Sequence, residues 1–304
     1  MAFGFKVHNA KPNEDLKWSN APANKLDLKT LRVAIVGGTA GIGQSLAQLF
    51  GSRGAEVVVV GRTFRDQNSK NVSFIKADLE LMSEAKRVAQ VLAQKPLDLV
   101  IFTTGILAAP KREETTEGLE RDIAVSYLSR LVIVRNLLPH IEKSHTNLVK
   151  KPRVFIYGFP CAGEKGSPDD LNSYVDYEGM KTHMATVAGN EALVHDTARR
   201  FPSIAVYGVN PGLIKTAIRN NFLGARSWKS FFVESAIGLL FQNTKQYAVK
   251  NVPMMVAPEL DDYTAAFFDS FGKPILSDGF PESYVEKYIR NSEELLKKSG
   301  VPYY

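Results

Sequence analysis

The stretch LRVAIVGGTAGIGQSLAQLF, residues 31–50, decides the fold class because its pattern changes once along its length. It begins as a short apolar run rich in β-branched residues, which is typical of a strand buried on both faces. A glycine-rich turn follows at Gly37, Gly41 and Gly43, and the rest has the spacing of an amphipathic helix. A strand, a glycine turn and a helix in this order open a βαβ unit, which predicts a parallel sheet.

The same alternation continues along the chain. Further short apolar runs ending in Gly, Pro or Asp are predicted as strands, at residues 55–63, 72–79, 97–105, 153–158 and 204–212. Helical periodicities lie between them, at residues 83–94, 115–139 and 177–201. This alternation predicts an α/β fold of the Rossmann type: one doubly wound, mainly parallel sheet with helices on both faces, in a single domain. Ligands of such sheets bind beyond the carboxyl ends of the strands.

The two ends of the chain lack the regular alternation of strand and helix patterns found in its middle. Residues 1–30 are expected to form an N-terminal surface arm and residues 31–265 the Rossmann domain. Residues 266–304 are expected to be a C-terminal extension that includes a surface helix. The segment VPMMVAPEL, residues 252–260, is predicted as a last strand.

Bulk composition narrows the function classes. The chain has 304 residues, of which 44% are hydrophobic, and a net charge of +6 with no basic block, so nucleic-acid binding is not expected. No apolar run reaches the roughly 18 residues of a membrane span, and the first residues lack a signal-peptide pattern. We therefore expect a soluble cytoplasmic protein, and the lone Cys161 fits a reducing compartment. No metal site is expected.

The glycine-rich turn is a candidate nucleotide site. Glycines let the backbone approach a pyrophosphate, whose charge then meets free N–H groups and the positive end of the helix dipole. A tight turn without a ligand is the alternative, but the position between strand and helix favours nucleotide binding. The second strand ends in Gly61-Arg62-Thr63, where no acid is present for ribose hydroxyls and Arg62 suits a 2′-phosphate. NADP(H) is therefore favoured and NAD(H) is possible, with a solvated Arg62 as the alternative interpretation.

A second candidate site is YEGMK, residues 177–181, beyond the fifth predicted strand. On a helix this spacing puts Lys181 one turn above Tyr177 on the same face, where an ammonium favours the phenolate. Such a tyrosine can give a proton to a carbonyl oxygen while hydride moves from a nicotinamide to the carbonyl carbon. A surface pair of no consequence is the alternative, and the strand, loop and glycine turn that precede it favour the catalytic interpretation.

With GGTAGIG, YEGMK and the segment PGLIKT at residues 211–216, the chain resembles the short-chain dehydrogenase/reductase superfamily from about residue 31 to about residue 260. The segments EGLERDIAVSYLSR and NPGLIKTAIRNN are most similar to a group of yeast aldehyde reductases of this superfamily. The resemblance implies that Asp78 holds the adenine amine and that residues 211–216 contact the nicotinamide amide. The implied cofactor-binding residues are Gly37, Thr39, Gly41, Ile42, Gly43, Arg62, Asp78, Leu79, Gly105, Tyr177, Lys181, Pro211, Gly212, Ile214 and Thr216.

Several positions depart from the pattern of the family. Val36 stands where relatives usually carry a threonine, and in Phe102-Thr103-Thr104-Gly105 only the glycine of the family's NNAG motif is present, with threonines in place of its asparagines.

Further departures lie in the predicted catalytic set. Gly158 and Phe159 stand where relatives carry a serine that binds the substrate oxygen. Ser126 stands where relatives carry an asparagine that holds a water of the proton relay. Either a substitute donor works here, such as Ser126, Thr104, the Cys161 thiol or a backbone N–H of residues 158–163, or the domain binds cofactor without turnover.

The resemblance also implies a lid and an oligomer. Residues 215–245 correspond to the variable lid over the substrate, and we take Phe159 and Phe222 as substrate contacts. The aromatic content of the lid suggests an apolar carbonyl compound, although the packing of ordinary core helices explains the same residues. The long fourth and fifth helices are expected to form a two-fold interface, so a homodimer is predicted.

These observations predict the NAD(P)H-dependent reduction of an aldehyde or ketone to an alcohol. Tyr177 is the expected proton donor, Lys181 its activator and Ser126 a third catalytic residue. The alternative is a protein that binds a nicotinamide cofactor with little or no catalysis, as a sensor or partner-binding module. A protein that binds weakly to a membrane surface is a third possibility, supported only by composition.

Overall fold

The computed structural model describes residues 10–19, 21–66, 69–141, 146–212 and 243–300, and the strands in these ranges form one sheet. Their order is β3-β2-β1-β4-β5-β6-β7-β8, and neighbouring strands are parallel except for β7 with β8. The strands are β1 (Arg32–Val36), β2 (Glu56–Gly61), β3 (Val72–Lys76), β4 (Leu99–Phe102), β5 (Arg153–Tyr157), β6 (Ala205–Val209), β7 (Ala266–Phe268) and β8 (Pro274–Ile275). The predicted α/β fold with a doubly wound, mainly parallel sheet is confirmed.

Helices cover both faces of this sheet. They are α1 (Gly41–Ser52), α2 (Met82–Leu92), α3 (Arg121–Ile123), α4 (Ser129–Leu137), α5 (Gly179–Arg200), α6 (Thr244–Met255) and α7 (Glu282–Lys298). A π-helix, Ala124–Leu128, joins α3 to α4, and short 3₁₀ helices occur at Ala23–Lys25, Leu138–His140, Pro168–Asp170 and Pro258–Asp262. The long helix predicted at residues 115–139 therefore begins later, at Arg121, and is widened in its middle.

Two apolar cores lie on opposite faces of the sheet, because successive side chains of a strand point to opposite sides. In β1, Ala34 and Val36 belong to the core under α2, α4, α5 and α7. Val33 and Ile35 belong to the core under α1 and α6. Strands with both faces buried explain the continuous apolar runs of the sequence.

The carboxyl ends of β1, β4 and β5 meet at one edge of the sheet. The chain runs from β1 outward through β2 and β3, and then crosses back to place β4 on the other side of β1. This reversal leaves a crevice beyond the ends of β1 and β4, which is where parallel sheets bind ligands.

The prediction of a last strand at residues 252–260 is wrong. Residues 252–255 form the end of α6, and the last strands are β7 and β8. The helix has its own start signal, because Asn243 accepts a hydrogen bond from the Gln246 N–H at 2.8 Å. Its apolar residues Tyr247 and Val252 are buried in the core shared with α1. A short apolar run does not by itself distinguish a strand from a buried helix.

Both end segments contact the sheet. From the expected N-terminal arm, Leu16 and Leu28 are buried in the core under α1 and α6. Pro12 forms an isolated bridge with Ile275 of β8. The sheet continues past residue 265 into β7 and β8, and the division of the chain at residues 30 and 265 stays a prediction.

Helix α7 packs along α5 and forms an ion pair with α4; α4 and α5 are the helices expected at the two-fold interface. The Tyr288 hydroxyl donates to the Ala185 carbonyl of α5 at 2.5 Å. Beside α4, Arg135 pairs with Glu293 at 3.1 Å. Every residue of α4 is buried except Asn136, which is half-buried. Among the described residues, α4 therefore has no exposed face for a second copy.

Candidate active site

The glycine turn after β1 is closed against the loop after β4. Gly37 and Gly41 have φ of +93° and +58°, which favour glycine. A Cβ on Gly37 would lie 2.5 Å from the Thr104 nitrogen, and one on Gly43 would lie 2.4 Å from Thr103 Oγ1. Neither position has room for a side chain. The threonines that replace the family's asparagines thus pack directly on the turn.

This turn fits the diphosphate of a dinucleotide. Helix α1 begins at Gly41, so its unpaired amide N–H groups and the positive end of its dipole lie at the carboxyl edge of the sheet. Thr104 Oγ1 is buried and has no hydrogen-bond partner among the described residues, so it is available to a ligand. Of the other predicted residues, Thr39 packs against Gly61 at the end of β2, and Ile42 is half-buried against the core.

The residues predicted for the adenosine part lie at the ends of β2 and β3. Arg62 is 65% exposed, and its Nη1 lies 4.0 Å from a carboxylate oxygen of Glu80. Asp78 is exposed and accepts a hydrogen bond from the Glu80 N–H at 3.2 Å, while Leu79 is buried. A weak ion pair on an exposed side chain leaves Arg62 able to turn toward a phosphate.

Tyr177 lies just before α5 and faces the loop after β4. Its hydroxyl donates to the Ala109 carbonyl at 2.6 Å. Burial raises the pKa of Tyr177 to about 12, and the carboxylates of Glu120 and Asp122 add to this effect. The phenol is therefore protonated at neutral pH.

Lys181 is not placed as the sequence predicted. Helix α5 begins at Gly179, so Tyr177 lies outside it and the pair does not share a helical face. The Lys181 ammonium instead binds Asp176 at 2.5 Å and is exposed, and this hydrogen bond raises the pKa of Lys181. The expectation that Lys181 stabilises a Tyr177 phenolate is thus not met, because a neighbouring carboxylate holds the ammonium.

Ser126 lies at the floor of the same crevice, in the π-helix. A Cβ on Gly105, the residue matched to the family's conserved glycine, would lie 3.6 Å from Ser126 Oγ. The hydroxyl accepts from the Ile106 N–H at 3.0 Å. It donates to Asp122 at 2.5 Å, with the Ile106 carbonyl farther away at 3.5 Å. Since a hydroxyl has one proton, Ser126 in this arrangement does not donate to a substrate oxygen.

Asp122 and His183 are site residues that the sequence reasoning missed. Asp122 is fully buried, and its second oxygen lies 2.7 Å from Nδ1 of His183. The i,i+4 spacing of Asp122 and Ser126 is a signal that could have identified the carboxylate. His183 carries no such signal, because only the packing of α5 on α3 brings it to Asp122.

Sequence reasoning also missed Arg130, whose hydrogen bonds connect α5 with the ends of β4 and β5. Its buried guanidinium donates to Asn190 Oδ1 of α5 at 2.8 Å, and to the carbonyls of Thr104 after β4 and Tyr157 at the end of β5. Burial lowers the pKa of Arg130 to about 9, and the Asp122 carboxylate opposes this effect. The cation thus fixes the two strand ends that flank the crevice.

The loop after β5 is strained. Phe159 and Cys161 have φ of +61° and +62°, which non-glycine residues seldom adopt. A Cβ on Gly158 would lie 2.7 Å from Cβ of Asn190. The Cys161 N–H donates to Glu191 at 2.8 Å, and burial raises the pKa of the Cys161 thiol. Neither the thiol nor this N–H is available as the substitute donor.

The last predicted cofactor residues follow β6. Gly212 has φ of +65°, and its N–H donates to Asn210 Oδ1 at 2.9 Å beside the half-buried Pro211. Ile214, Thr216 and Phe222 lie outside the described residues, as does most of the expected lid at residues 215–245.

The residues described by the structure show neither a metal site nor a membrane span. In them, no group of three His, Cys, Asp or Glu side chains is placed to hold a metal ion. No helix in the same ranges has both the length and the apolar character needed to cross a membrane.

Comparison with known proteins gives matches over nearly the whole chain. Residues 32–150 match the family model of short chain dehydrogenases. An uncharacterized oxidoreductase of Saccharomyces cerevisiae is 42% identical over 294 residues, which cover 95% of this chain and 95% of the yeast protein.

Solved structures share the fold. A short-chain dehydrogenase/reductase of Serratia marcescens aligns with a TM-score of 0.57 at 19% identity, over 81% of this chain and 99% of its own. An NADH-dependent reductase complexed with NAD aligns with a TM-score of 0.56 at 19% identity, over 81% of this chain and 97% of its own.

Proposed function

Because this chain belongs to the short-chain dehydrogenase family and is an oxidoreductase, we propose that it reduces an aldehyde or ketone to an alcohol with NADPH. The observation that carries this proposal is that a glycine turn follows β1 while a tyrosine contacts the loop after the neighbouring strand β4. The glycine turn after β1 has the form of a diphosphate site, and the protonated phenol of Tyr177 lies against the loop after the adjacent β4. A hydride acceptor needs an acid at its oxygen, and a phenol that stays protonated suits reduction.

Residues of this chain have separate roles in binding the cofactor and in donating the proton. Amide N–H groups at the start of α1 bind the diphosphate, and Thr103 and Thr104 hold the turn in shape. The bound nicotinamide supplies a hydride to the carbonyl carbon. Tyr177 gives its proton to the carbonyl oxygen, and Lys181 leaves Asp176 to bind the cofactor ribose.

The site lacks the usual serine hydroxyl. Thr104 Oγ1 has no partner among the described residues and remains a candidate donor, but it lies on the loop after β4 and not on the loop after β5, where relatives carry that serine. Removing one donor to a developing oxyanion commonly costs about a hundredfold to a thousandfold in rate. We therefore propose slow turnover with reactive aldehydes as the better substrates, because an electrophilic carbonyl depends less on polarisation. Phe159 in the strained loop is the proposed apolar contact of the substrate.

Tyr177→Phe tests the proposal. The variant keeps the ring and removes the proton donor, so reduction should fall by at least about a hundredfold while NADPH affinity stays within about twofold. The rate of reduction is measured as NADPH oxidation over a panel of aldehydes and ketones. The affinity for NADPH is measured by fluorescence titration. Tyr174→Phe is the matched control, because its hydroxyl is exposed and bonds only the Gly118 carbonyl.

A Tyr177→Phe variant with turnover near that of the wild type would contradict this assignment of the donor. A wild-type protein that binds NADPH but reduces no carbonyl in the panel would instead favour the cofactor-binding module. Two features agree with that second function: the proton of Ser126 is directed to Asp122, and Lys181 is held by Asp176.

Arg62 tests the cofactor preference. A guanidinium can bind a 2′-phosphate, so NADPH should bind more tightly than NADH. Arg62→Ala should reduce the ratio of the NADH to the NADPH dissociation constant by about tenfold or more. Titrations of both nucleotides measure this, and Arg290→Ala on the exposed face of α7 controls for general charge. Equal affinity of the wild type for NADPH and NADH would refute the preference.

Assembly and location remain proposals. A homodimer is expected from the family, and its interface would have to avoid α4, which α7 covers together with α5. Location in the cytoplasm stays a prediction from the sequence.

A further inference from the structure

A continuous chain of hydrogen bonds leads from the floor of the crevice to solvent. Ser126 Oγ lies 2.5 Å from one oxygen of Asp122, and Nδ1 of His183 lies 2.7 Å from the other. Ser126 and Asp122 are buried, whereas the His183 side chain is 21% exposed. The exposed end of this chain is thus an imidazole, and its inner end is a hydroxyl beside Gly105.

The backbone is built to hold these groups in line. Ser126 lies in a π-helix, a widened turn that often marks a functional site. The Asn190 side chain binds the Ser126 carbonyl at 2.9 Å, and the Thr186 hydroxyl binds the His183 carbonyl at 2.8 Å. The first bond joins the π-helix to α5, and the second lies within α5, the helix that carries His183.

The role of a simple helix cap does not account for Asp122. The cap of α3 is Glu120, whose carboxylate accepts from the Ile123 N–H at 2.8 Å. Each oxygen of Asp122 instead binds a side chain that can carry a proton. The charged groups nearby are Glu120 and the buried Arg130 on α4, which attracts the carboxylate, and the neutral Tyr177 phenol is a further titratable group.

We propose that Ser126, Asp122 and His183 form a relay that returns a proton to Tyr177 after each turnover. The inference rests on the proposed function, in which Tyr177 loses a proton to the product. One proton enters from water at Nε2 of His183, and the Nδ1 proton passes to Asp122. After rotation of the carboxyl group, Asp122 gives a proton to Ser126, whose own proton goes to the Tyr177 oxygen through water in the crevice. One proton enters and one leaves, with no change in oxidation state.

If the relay returns the proton to Tyr177, variants that lack the relay should show a burst of NADPH oxidation. Tyr177 is protonated before the first turnover, because its pKa is raised to about 12, so the first hydride transfer does not need the relay. In His183→Ala and Asp122→Asn, the first turnover should keep its rate while later turnovers slow by at least about tenfold. Stopped-flow measurement of NADPH oxidation should then show a burst of one equivalent per site, absent in the wild type.

Added imidazole provides a second readout. His183 is partly exposed, so imidazole should reach the cavity left by His183→Ala and restore the steady-state rate at least severalfold. It should have no effect on Asp122→Asn, which retains His183. His140→Ala is the matched control, because His140 is exposed beyond α4, and its turnover should equal that of the wild type with or without imidazole.

The outcomes separate this inference from the proposed function. Wild-type turnover without a burst in either variant would overturn the relay and leave the reductase standing. Equal slowing of first and later turnovers, with no rescue by imidazole, would assign Asp122 and His183 a structural role and also overturn the relay. Absence of hydride transfer in the wild type would overturn the proposed function, and the relay with it.

Discussion

At the scale of single residues, Asn190 leaves no room for a side chain at Gly158. It binds the buried Arg130 at 2.8 Å and occupies the space beside Gly158 that a side chain would need. Relatives carry a serine in this region. In this chain, a serine at Gly158 would collide with the Asn190 side chain of α5.

A substitution at Gly158 tests this packing. Gly158→Ser should not restore the missing hydroxyl and should lower the free energy of unfolding by about 1–3 kcal/mol, since its Cβ would lie 2.7 Å from Asn190. Phe159→Ser is the better way to add a hydroxyl, because its backbone already holds a side chain, and we expect it to raise the rate of hydride transfer. Urea unfolding and single-turnover kinetics measure the two effects.

Gly105→Ala is the matched control for the unfolding measurement alone, since its added methyl would meet Ser126 Oγ at an ordinary 3.6 Å. A stable and active Gly158→Ser would contradict the packing argument. A Phe159→Ser variant that binds NADPH normally and transfers hydride more slowly would show that Phe159 serves the substrate instead.

At this scale, sequence reasoning proposed positions for the site but did not predict their contacts. The segment containing Tyr177 and Lys181 was recognised, yet its spacing predicted a helical pair that the structure does not form. The start of a helix is set by local caps and by neighbours, and Asp176 competes for the ammonium. Contacts such as that of His183 with Asp122 join residues 61 positions apart and leave no local pattern.

At the scale of elements, the parallel strands were predictable because burial on both faces leaves a continuous apolar run. Strands β1, β2, β4, β5 and β6 were located for this reason, whereas the edge strand β3 was located from its apolar run although none of its residues is buried. The end of α6 was not, because Val252, Met254 and Met255 form an apolar run that fits a strand or a buried helix equally well. The π-helix has no sequence signal that we recognise, although it holds Ser126 in the site.

At the scale of the whole molecule, α7 packs on α5, one of the two helices predicted to form a dimer interface. Its buried residues Val285, Ile289 and Leu296 join the core under α4 and α5. In addition, Tyr127 and Ser292 share a buried hydrogen bond of 2.8 Å. The apolar side of α7 was predictable from its periodicity, but the surface that it covers was not.

We therefore expect that the full chain does not dimerise through α4 and α5. Sedimentation should show no such dimer, whereas Ile289→Asp should loosen α7, uncover apolar surface and cause self-association. Arg290→Asp is the matched control, because the neighbouring side chain is exposed and its loss should change nothing. Chemical cross-links that join α4 or α5 of two full-length copies would contradict this role of α7.

The central claim, at the scale of the whole enzyme, is that the sheet edge built from the glycine turn and Tyr177 transfers hydride to a carbonyl carbon. The most direct measurement uses NADPH deuterated at C4 of the nicotinamide, a reactive aldehyde and mass spectrometry of the product. The account predicts alcohol carrying one deuterium in the wild type and none above background in Tyr177→Phe. Bound NADPH with unlabelled, unreduced aldehyde in the wild type would contradict it.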